Sequence, residues 1–407
     1  MYEKLAKFYY KYPDEYENEY QKRINDYAAV NLDLKIKPLK ANEEFQCFYV
    51  NHQGLALDYS KIMKNTNIIQ AMLMNLPTSV LQHYVQSKLV DELVNTNKIE
   101  GVRSTRAEMK RVLVIETPEK KTRFWSFVNA YRSLLENASL TKVETPQMIR
   151  KIYDELLAGE VDLDDQLDGV LFRANGVDVA DGSQKVIHQG VVPEEKVIAS
   201  LEKMLAFLNE YPAPVLHKIV IAHYYFGYVH PFYDGNGRTS RYISSLYLKN
   251  ELDILTALTL SYAIDQNKKR YYGGFADSED RLNKGELTHF CQSFFQILLF
   301  AQEHIIDELQ TKTTQLHSLF ETVEYSLRNF THNEQQIILK LGEQHLFGFT
   351  GDGLSKKEVE DALEISGYKV NKAFDVLVER GIIEVIKKKP LVVMLAGEFT
   401  RALGWEL

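Results

Sequence analysis

Hydrophobic positions follow helical spacing over most of the middle of the chain. Between Leu81 and Ile99, apolar residues recur every three or four positions, and Gly101 follows where a helix typically ends. The same spacing predicts further helices at Phe124–Ala138, Pro146–Leu157, Glu194–Asn209, Ala213–Tyr228, Gly237–Lys249 and Leu287–Leu309. The pattern therefore indicates a mainly α-helical fold.

Shorter alternating patterns interrupt the helices at two places. Residues 169–192 combine β-branched runs with Asn-Gly and Asp-Gly turn signals, which predicts a β-hairpin around residues 177–190. Residues 1–60 are polar and tyrosine-rich, with one strand signal at Glu44–Val50. We interpret this N-terminal part as an extended, partly irregular segment.

The pattern changes again beyond about residue 330. A capping box begins at Ser355, and a second predicted helix runs over Tyr368–Arg380 and ends at Gly381. Two strand-like runs follow, Ile382–Ile386 and Leu391–Leu395. Helix, turn, helix and hairpin is the order of a winged helix-turn-helix module.

Composition and charge narrow the class of protein. Hydrophobic residues make up 45% and charged residues 26%, which is typical of a soluble globular chain. A net charge of −8 disfavours nucleic acid or an anionic membrane as the main partner. Apolar runs are shorter than the roughly 20 residues of a membrane span, no signal peptide is evident, and the two cysteines lack disulfide or zinc spacing. These features favour a reducing, cytoplasmic location.

Candidate chemistry concentrates in residues 230–241, HPFYDGNGRTSR. Glycines before a predicted helix let the backbone approach a ligand, and the helix N-terminus favours phosphate oxygens. Arg238 and Arg241 are three residues apart, so both can engage phosphates from one helix face. Asp234 offers a hard oxygen ligand for Mg2+, and His230 can accept a proton near neutral pH.

Together, these residues provide the minimum set of groups for phosphoryl or nucleotidyl transfer. Taken singly, each is compatible with a structural role, as a capping histidine, a turn aspartate or a surface arginine. The stretch as a whole resembles the Fic family motif HPFx(D/E)GN(G/K)RxxR at all nine specified positions. The resemblance implies a helical Fic core with a β-hairpin flap, which transfers AMP from ATP to a Ser, Thr or Tyr hydroxyl of a target protein.

The resemblance also implies a role for each residue of the motif. His230 would deprotonate the hydroxyl, Asp234 would hold Mg2+, and Phe232 would anchor the loop. The residues implied in ATP binding are Gly235, Asn236, Gly237, Arg238, Thr239, Ser240 and Arg241, of which Arg241 would reach the γ-phosphate. Lysine in place of Gly237 is typical of the kinase-type Doc branch, so glycine favours AMP transfer.

A second motif lies upstream, at residues 96–101, TNKIEG. It resembles the inhibitory motif (S/T)xxxE(G/N) of Fic proteins that carry this segment N-terminal to the core. Glu100 falls in the last turn of a predicted helix, where a negative charge is unfavourable without a cationic partner. We hypothesise that Glu100 pairs with Arg241 and restrains the enzyme. The alternatives are a solvated glutamate and, as in some relatives, a glutamate that supports removal of AMP.

Two further segments resemble parts of the family. The hairpin at residues 177–190 resembles the flap that aligns a target by strand addition, although an ordinary surface hairpin has the same pattern. Asn267, Tyr271 and Tyr272 resemble the segment that lines the adenine and ribose pocket. A tyrosine pair in a helix is alternatively explained by core packing.

The patterns predict three domains and leave alternatives for function open. They are an N-terminal region with the inhibitory helix (1–110), a Fic catalytic core (111–325) and a winged-helix-like domain (326–407). Residues 333–400 hold 9 Lys and Arg against 11 Asp and Glu, which favours docking of a protein over DNA binding by a transcriptional regulator. Another donor, such as UTP, GTP or phosphocholine, self-modification and homodimer formation remain further alternatives.

Overall fold

The computed structural model describes residues 2–115, 122–135, 142–180, 182–349 and 351–405. The chain divides into two compact units. The first comprises Met1–Asn67 and Leu89–Glu303, and the second comprises Ile68–Lys88 and His304–Leu407. The three domains predicted from the sequence stay a prediction.

Helices account for most of the described residues. In chain order they are α1 (Leu5–Lys11), α2 (Tyr16–Ile24), α3 (Gln53–Met74), α4 (Thr78–Ile99), α5 (Arg106–Leu113), α6 (Trp125–Ser133), α7 (Pro146–Leu156), α8 (Glu194–Glu210), α9 (Val215–Val229), α10 (Asn236–Glu251), α11 (Ile254–Ala257), α12 (Leu260–Gln266), α13 (Lys268–Ser278), α14 (Thr288–Glu321), α15 (His332–Phe347), α16 (Lys356–Leu363), α17 (Gly367–Glu379) and α18 (Gly397–Ala402). The strands are β1 (Ala29–Ile36), β2 (Phe45–Val50), β3 (Asp178–Ala180), β4 (Val186–Gln189), β5 (Leu354–Ser355), β6 (Ile383–Lys388) and β7 (Leu391–Leu395).

The mainly helical fold predicted from the sequence is confirmed. The predicted helices correspond to α4, α6 to α10 and α14, with most ends within a few residues of the prediction. Helix α14 continues well beyond the predicted end at Leu309. Helix α6 ends at Ser133, and residues 136–138 of its predicted range lie outside the described residues. In the part of the chain that the structure describes, every helix is too short or too polar to cross a bilayer.

The N-terminal region is more regular than the sequence suggested. The strand predicted at Glu44–Val50 is present as β2, but the irregular interpretation of the preceding residues was wrong. They form α1, α2 and β1, and β1 pairs antiparallel with β2. Leu32, Leu34 and Ile36 are fully buried at alternate positions of β1. This two-residue alternation is the signal that indicates a half-buried strand.

The predicted hairpin is confirmed as the antiparallel pair β3 and β4, with residue 181 outside the described residues. We call residues 177–190 the flap. Its base is closed by the Gly190 N–H, which donates to the Val177 carbonyl at 3.0 Å. One residue later, the Val191 N–H donates to the Val229 carbonyl at 3.1 Å. The flap is therefore attached directly to the end of α9.

The second unit contains a small antiparallel sheet with strand order β5-β7-β6. Helices α15, α16 and α17 precede its hairpin. The predicted capping box is present, because the Glu358 N–H donates to Ser355 Oγ while the Ser355 N–H donates to Glu358 Oε2. Gly381 follows α17 with a φ of 67°, a conformation that favours glycine. The predicted helices and strands are present in the predicted order.

Candidate active site

Helix α9 ends at His230, which is partly buried in the first unit. The helix is buried along most of its length and ends at His230, whose φ of 51° and ψ of 62° are left-handed. Pro231 follows and prevents the helix from continuing. His230 Nδ1 lies 3.3 Å from the Gly227 carbonyl. Because a carbonyl can only accept, Nδ1 carries the hydrogen and Nε2 is left as the acceptor.

The surroundings of His230 keep its imidazole neutral. Burial lowers the pKa of His230 to about 4, and the electrostatic effects of His188 and Arg173 act in the same direction. The Gly227 carbonyl and Asp234 oppose this shift in pKa. At pH 7 the ring is therefore uncharged, with Nε2 ready to accept a proton.

Phe232 anchors the loop that follows His230. Its fully buried ring stacks on Tyr153 with a centroid separation of 3.8 Å, and the ring of Phe172 lies 5.5 Å away. Asn236 Oδ1 accepts from the Phe232 N–H at 3.0 Å, while Asn236 Nδ2 donates to the Phe232 carbonyl at 2.7 Å. The Asn236 side chain thus closes the loop. The phosphate binding predicted for Asn236 is therefore assigned to its backbone N–H.

Replacing Phe232 with alanine is expected to destabilise the protein. The loss of a fully buried aromatic ring typically lowers the free energy of unfolding by about 3–5 kcal/mol. Urea unfolding of wild type and variant measures this difference. The control is Tyr10→Ala, because Tyr10 is 78% exposed and its truncation should change stability by only about 0.5 kcal/mol. Equal losses in the two variants would contradict the anchoring role.

Helix α10 begins directly after the loop and points its N-terminus at it. Gly235 has a φ of 80°, and a Cβ there would collide with Leu157, so both conformation and space require glycine. The first N–H groups of a helix have no intrahelical acceptor, which favours phosphate binding. Thr239 and Ser240 are buried, and Ser240 Oγ lies 3.0 Å from His223 Nδ1. The Thr239 N–H donates to the Gly235 carbonyl at 3.0 Å, so this backbone group is already used within the helix.

Arg238 is held by two carboxylates in this structure. Its Nη1 donates to Glu160 Oε2 at 3.1 Å, and its Nη2 donates to Asp234 Oδ2 at 3.0 Å. The Arg238 side chain is 2% exposed, whereas Asp234 is 44% exposed. Glu160 lies 78 positions before Arg238, and no local pattern in the sequence indicated this contact.

Arg241 forms the ion pair that the sequence suggested. Its Nη1 lies 2.8 Å from Glu100 Oε1, its Nε donates to Thr96 Oγ1 at 2.8 Å, and its Nη2 donates to the Thr96 carbonyl at 3.1 Å. The Arg241 side chain is only 1% exposed. A Cβ added to Gly237 would collide with Glu100 Oε1. Glu100 therefore occupies the space beside the N-terminus of α10, where phosphate binding is predicted.

The three residues predicted to line a base pocket have different environments. Tyr271 is buried, and its hydroxyl lies 2.7 Å from His223 Nε2. Asn267 joins α12 to α13 and donates from Nδ2 to the Ala263 carbonyl at 3.0 Å. Tyr272 is half exposed, and burial together with the charge of Glu100 raises its pKa. Tyr271 therefore packs in the core, and Tyr272 is the residue able to contact a ligand beside Glu100.

Asp234 can serve as a magnesium ligand only as part of a nucleotide complex. Within the described ranges, no three His, Cys, Asp or Glu side chains cluster closely enough to hold a metal by themselves. Mg2+ commonly binds through one or two carboxylates, with phosphate oxygens and water completing its octahedron. One half-exposed carboxylate beside a predicted phosphate site fits this requirement.

Two residues of this region were missed at the level of the sequence. Arg173 is fully buried beside the loop, and His188 in β4 has its ring centroid 6.4 Å from that of His230. The available signal for Arg173 was weak: it is the one cation between residues 169 and 184.

Parts of the chain are similar to known proteins in sequence and in fold. Residues 143–248 match the model of the Fic/DOC family. A Fic family protein from Desulfovibrio desulfuricans has a similar structure, with a TM-score of 0.53 and 20% identity over 85% of this chain and 97% of that protein. Less similar structures are a Fic domain containing signaling protein from Bacteroides thetaiotaomicron (TM-score 0.43, 16% identity, 64% and 97% covered) and Fic-1 from C. elegans (TM-score 0.43, 19% identity, 63% and 74% covered). The matched range contains the loop with His230 and Asp234, and Arg241 in α10. Residues 143–248 of this chain are therefore a Fic/DOC family domain.

Proposed function

We propose that this protein is an adenylyltransferase that moves AMP from ATP to a hydroxyl group of a target protein. The observation that carries the proposal is the position of a neutral His230, with Nε2 as its acceptor, beside the N-terminus of α10. Arg238 and Arg241 project from the first turns of that helix. Transferase activity is general among Fic family proteins, which supports the same reaction class.

The reaction follows from what these residues can do. His230 Nε2 accepts the proton of the target hydroxyl, whose oxygen attacks the α-phosphorus of ATP. The bond from that phosphorus to the bridging oxygen of the β-phosphate breaks, and pyrophosphate leaves. The N–H groups at the start of α10, together with the two arginines, stabilise the negative charge on the phosphates.

Asp234 would hold Mg2+ through Oδ1, because Oδ2 is already bonded to Arg238. When bound, the metal would neutralise charge on the phosphate oxygens. Asp234 itself then has a second role, since its contact with Arg238 fixes that guanidinium beside the helix N-terminus.

We further propose that the protein is autoinhibited in this conformation. Glu100 neutralises Arg241, the residue expected to bind the γ-phosphate, and fills the space beside Gly237. Binding of ATP in a reactive pose requires this carboxylate to move. De-AMPylation assisted by Glu100 remains the alternative role for the same contact.

The target and the role of the second unit are part of the same proposal. The flap presents a short antiparallel edge beside His230, which suits an extended target segment that adds as a strand. The second unit has the helix and strand order of a winged helix, and its acidic charge balance favours a protein target or a second copy of the chain over DNA.

Parallel incubations with α-labelled and γ-labelled ATP and Mg2+ test the proposed reaction. We expect the α-label alone to become attached to protein, with pyrophosphate as the second product. Attachment of the γ-label would instead establish a kinase. Parallel α-labelled GTP and UTP reveal the base preference, because the phosphate-binding loop itself does not contact a base. Absence of any attached label from all donors, including with Glu100→Gly, would refute nucleotidyl transfer.

A further inference from the structure

Four successive backbone carbonyls at the end of α9 are all bonded to the flap or to the residues around it. The Tyr228 carbonyl lies 2.7 Å from His188 Nε2. The Val229 carbonyl accepts from the Val191 N–H at 3.1 Å and from Arg173 Nη2 at 3.3 Å. Arg173 also donates from Nε to the His230 carbonyl at 2.8 Å and from its backbone N–H to the Pro231 carbonyl at 3.2 Å. The segment that carries His230 is therefore fixed from the flap side.

The same guanidinium also holds both ends of the flap. Arg173 Nη1 donates to the Asn175 carbonyl at 2.6 Å, just before the flap, and Nη2 donates to the Val191 carbonyl at 2.9 Å, just after it. Arg173 is fully buried, and a Cβ on Gly190 would collide with Nη2. Because a guanidinium is planar and rigid, it fixes the flap ends and the His230 segment relative to each other.

His188 adds a second connection from inside the flap. Its Nε2 contacts the Tyr228 carbonyl, while its Nδ1 lies 3.4 Å from Glu279 Oε2 at the end of α13. Glu279 Oε1 in turn accepts from the Tyr224 hydroxyl at 3.1 Å. Strand β4 is thereby connected to both α9 and α13.

These contacts stabilise the C-terminal end of α9 and the unusual backbone conformation of His230. Helix C-termini carry exposed carbonyls and partial negative charge, so cationic donors there are stabilising. His230 adopts a left-handed conformation that costs an L-residue about 1–2 kcal/mol, and it persists only where its surroundings enforce it. Arg173 bonds to the carbonyl of His230 itself.

We propose that Arg173, assisted by His188, is a positioning residue that couples the flap to His230. A target strand docked on the flap is thereby held in a fixed register with Nε2 of the base. The inference rests on the proposed function in so far as His230 acts as that base. The charged and polar groups that face His230 are Arg173, His188, Asp234 and the Gly227 carbonyl.

The variant Arg173→Gln tests the coupling, because glutamine keeps some length and one amide donor but loses the fork and the charge. We expect kcat for AMP transfer to a protein target to fall about 10- to 100-fold, since small displacements of reacting groups have effects of that size. The Kd for ATP should stay within about twofold, because the hydrogen-bond partners of Arg173 lie on the flap side of His230. Removing the cation should also raise the pKa of His230 and move the acid limb of the pH profile upward.

Arg150→Gln is the matched control. Arg150 Nη1 donates to the Leu171 carbonyl at 2.8 Å, so it also binds loop backbone two residues from Arg173. Arg150 also forms an ion pair with Asp154. The substitution of Arg150 should leave kcat and the titration of His230 as in wild type.

Titration of the His230 imidazole by NMR separates this inference from the proposed function, because it requires no turnover. If the wild type transfers no AMP, the proposed function fails, while an upward shift in the pKa of His230 in Arg173→Gln still supports the coupling. The coupling would be overturned if Arg173→Gln folds but its kcat or the titration of His230 is unchanged. It would also be overturned if the affinity for ATP falls in proportion to kcat. If Arg173→Gln does not fold, His188→Ala provides the second variant, with the same expected directions and the same outcomes against it.

Discussion

Replacing His230 with alanine is expected to reduce AMP transfer by about 100- to 10,000-fold, the usual contribution of a general base. The reason is that Nε2 is the one ring nitrogen left to accept a proton, since Nδ1 donates to the Gly227 carbonyl. Initial rates of α-label attachment measure the loss. Binding of ATP should be nearly unchanged, because the groups proposed to bind the phosphates lie on α10.

A second substitution guards against a trivial explanation of this loss. His230 has a φ of 51°, which alanine tolerates poorly and asparagine tolerates better, so His230→Asn preserves the loop while removing the base. Both variants should be equally inactive. The control is His52→Ala, because His52 is also partly buried but accepts from the Gly54 N–H at the start of α3. Substantial transfer by His230→Asn would show that the imidazole is not the base.

The arrangement of the loop residues could be predicted from the sequence because its parts are local. Within twelve residues, the sequence has a histidine before a proline, glycines before a helix and two arginines one turn apart. The local backbone determines how these residues lie relative to one another. The pairing of Glu100 with Arg241 was also accessible, since a glutamate directly after the C-terminal end of α4 needs a cationic partner. In both cases backbone direction and charge carry the information.

Other contacts between distant segments, for which the sequence held no motif or charge signal, could not be predicted. Nothing near Glu160 indicates that it binds Arg238, and the burial of Ser240 against His223 follows from how α9 packs on α10. Arg173 is a similar case, because a lone arginine in a hairpin segment usually faces solvent. Its four carbonyl partners come from three separate stretches of chain.

The second large effect is expected in the opposite direction. Glu100→Gly should raise AMP transfer about 10- to 100-fold, because a hydrogen bond to a charged group is worth about 1.5–3 kcal/mol and every 1.4 kcal/mol is tenfold. The substitution frees Nη1 of Arg241 and opens the space beside Gly237. Arg241 keeps its bonds to Thr96, so the guanidinium should remain in place for the γ-phosphate. Rates of α-label attachment to protein, including self-modification, measure the gain.

Asp91→Gly is the control for Glu100→Gly. Asp91 lies in α4, the helix that Glu100 directly follows. It is 25% exposed like Glu100 and binds an arginine at the same distance of 2.8 Å, but that partner is Arg106. Its removal should leave AMP transfer unchanged, which separates release of Arg241 from general loosening of α4. Equal rates in wild type and Glu100→Gly would exclude autoinhibition by this contact, whereas equal gains in both variants would assign the restraint to the helix as a whole. A gain confined to Glu100→Gly would mean that the free energy of the Glu100–Arg241 pair is what ATP must overcome.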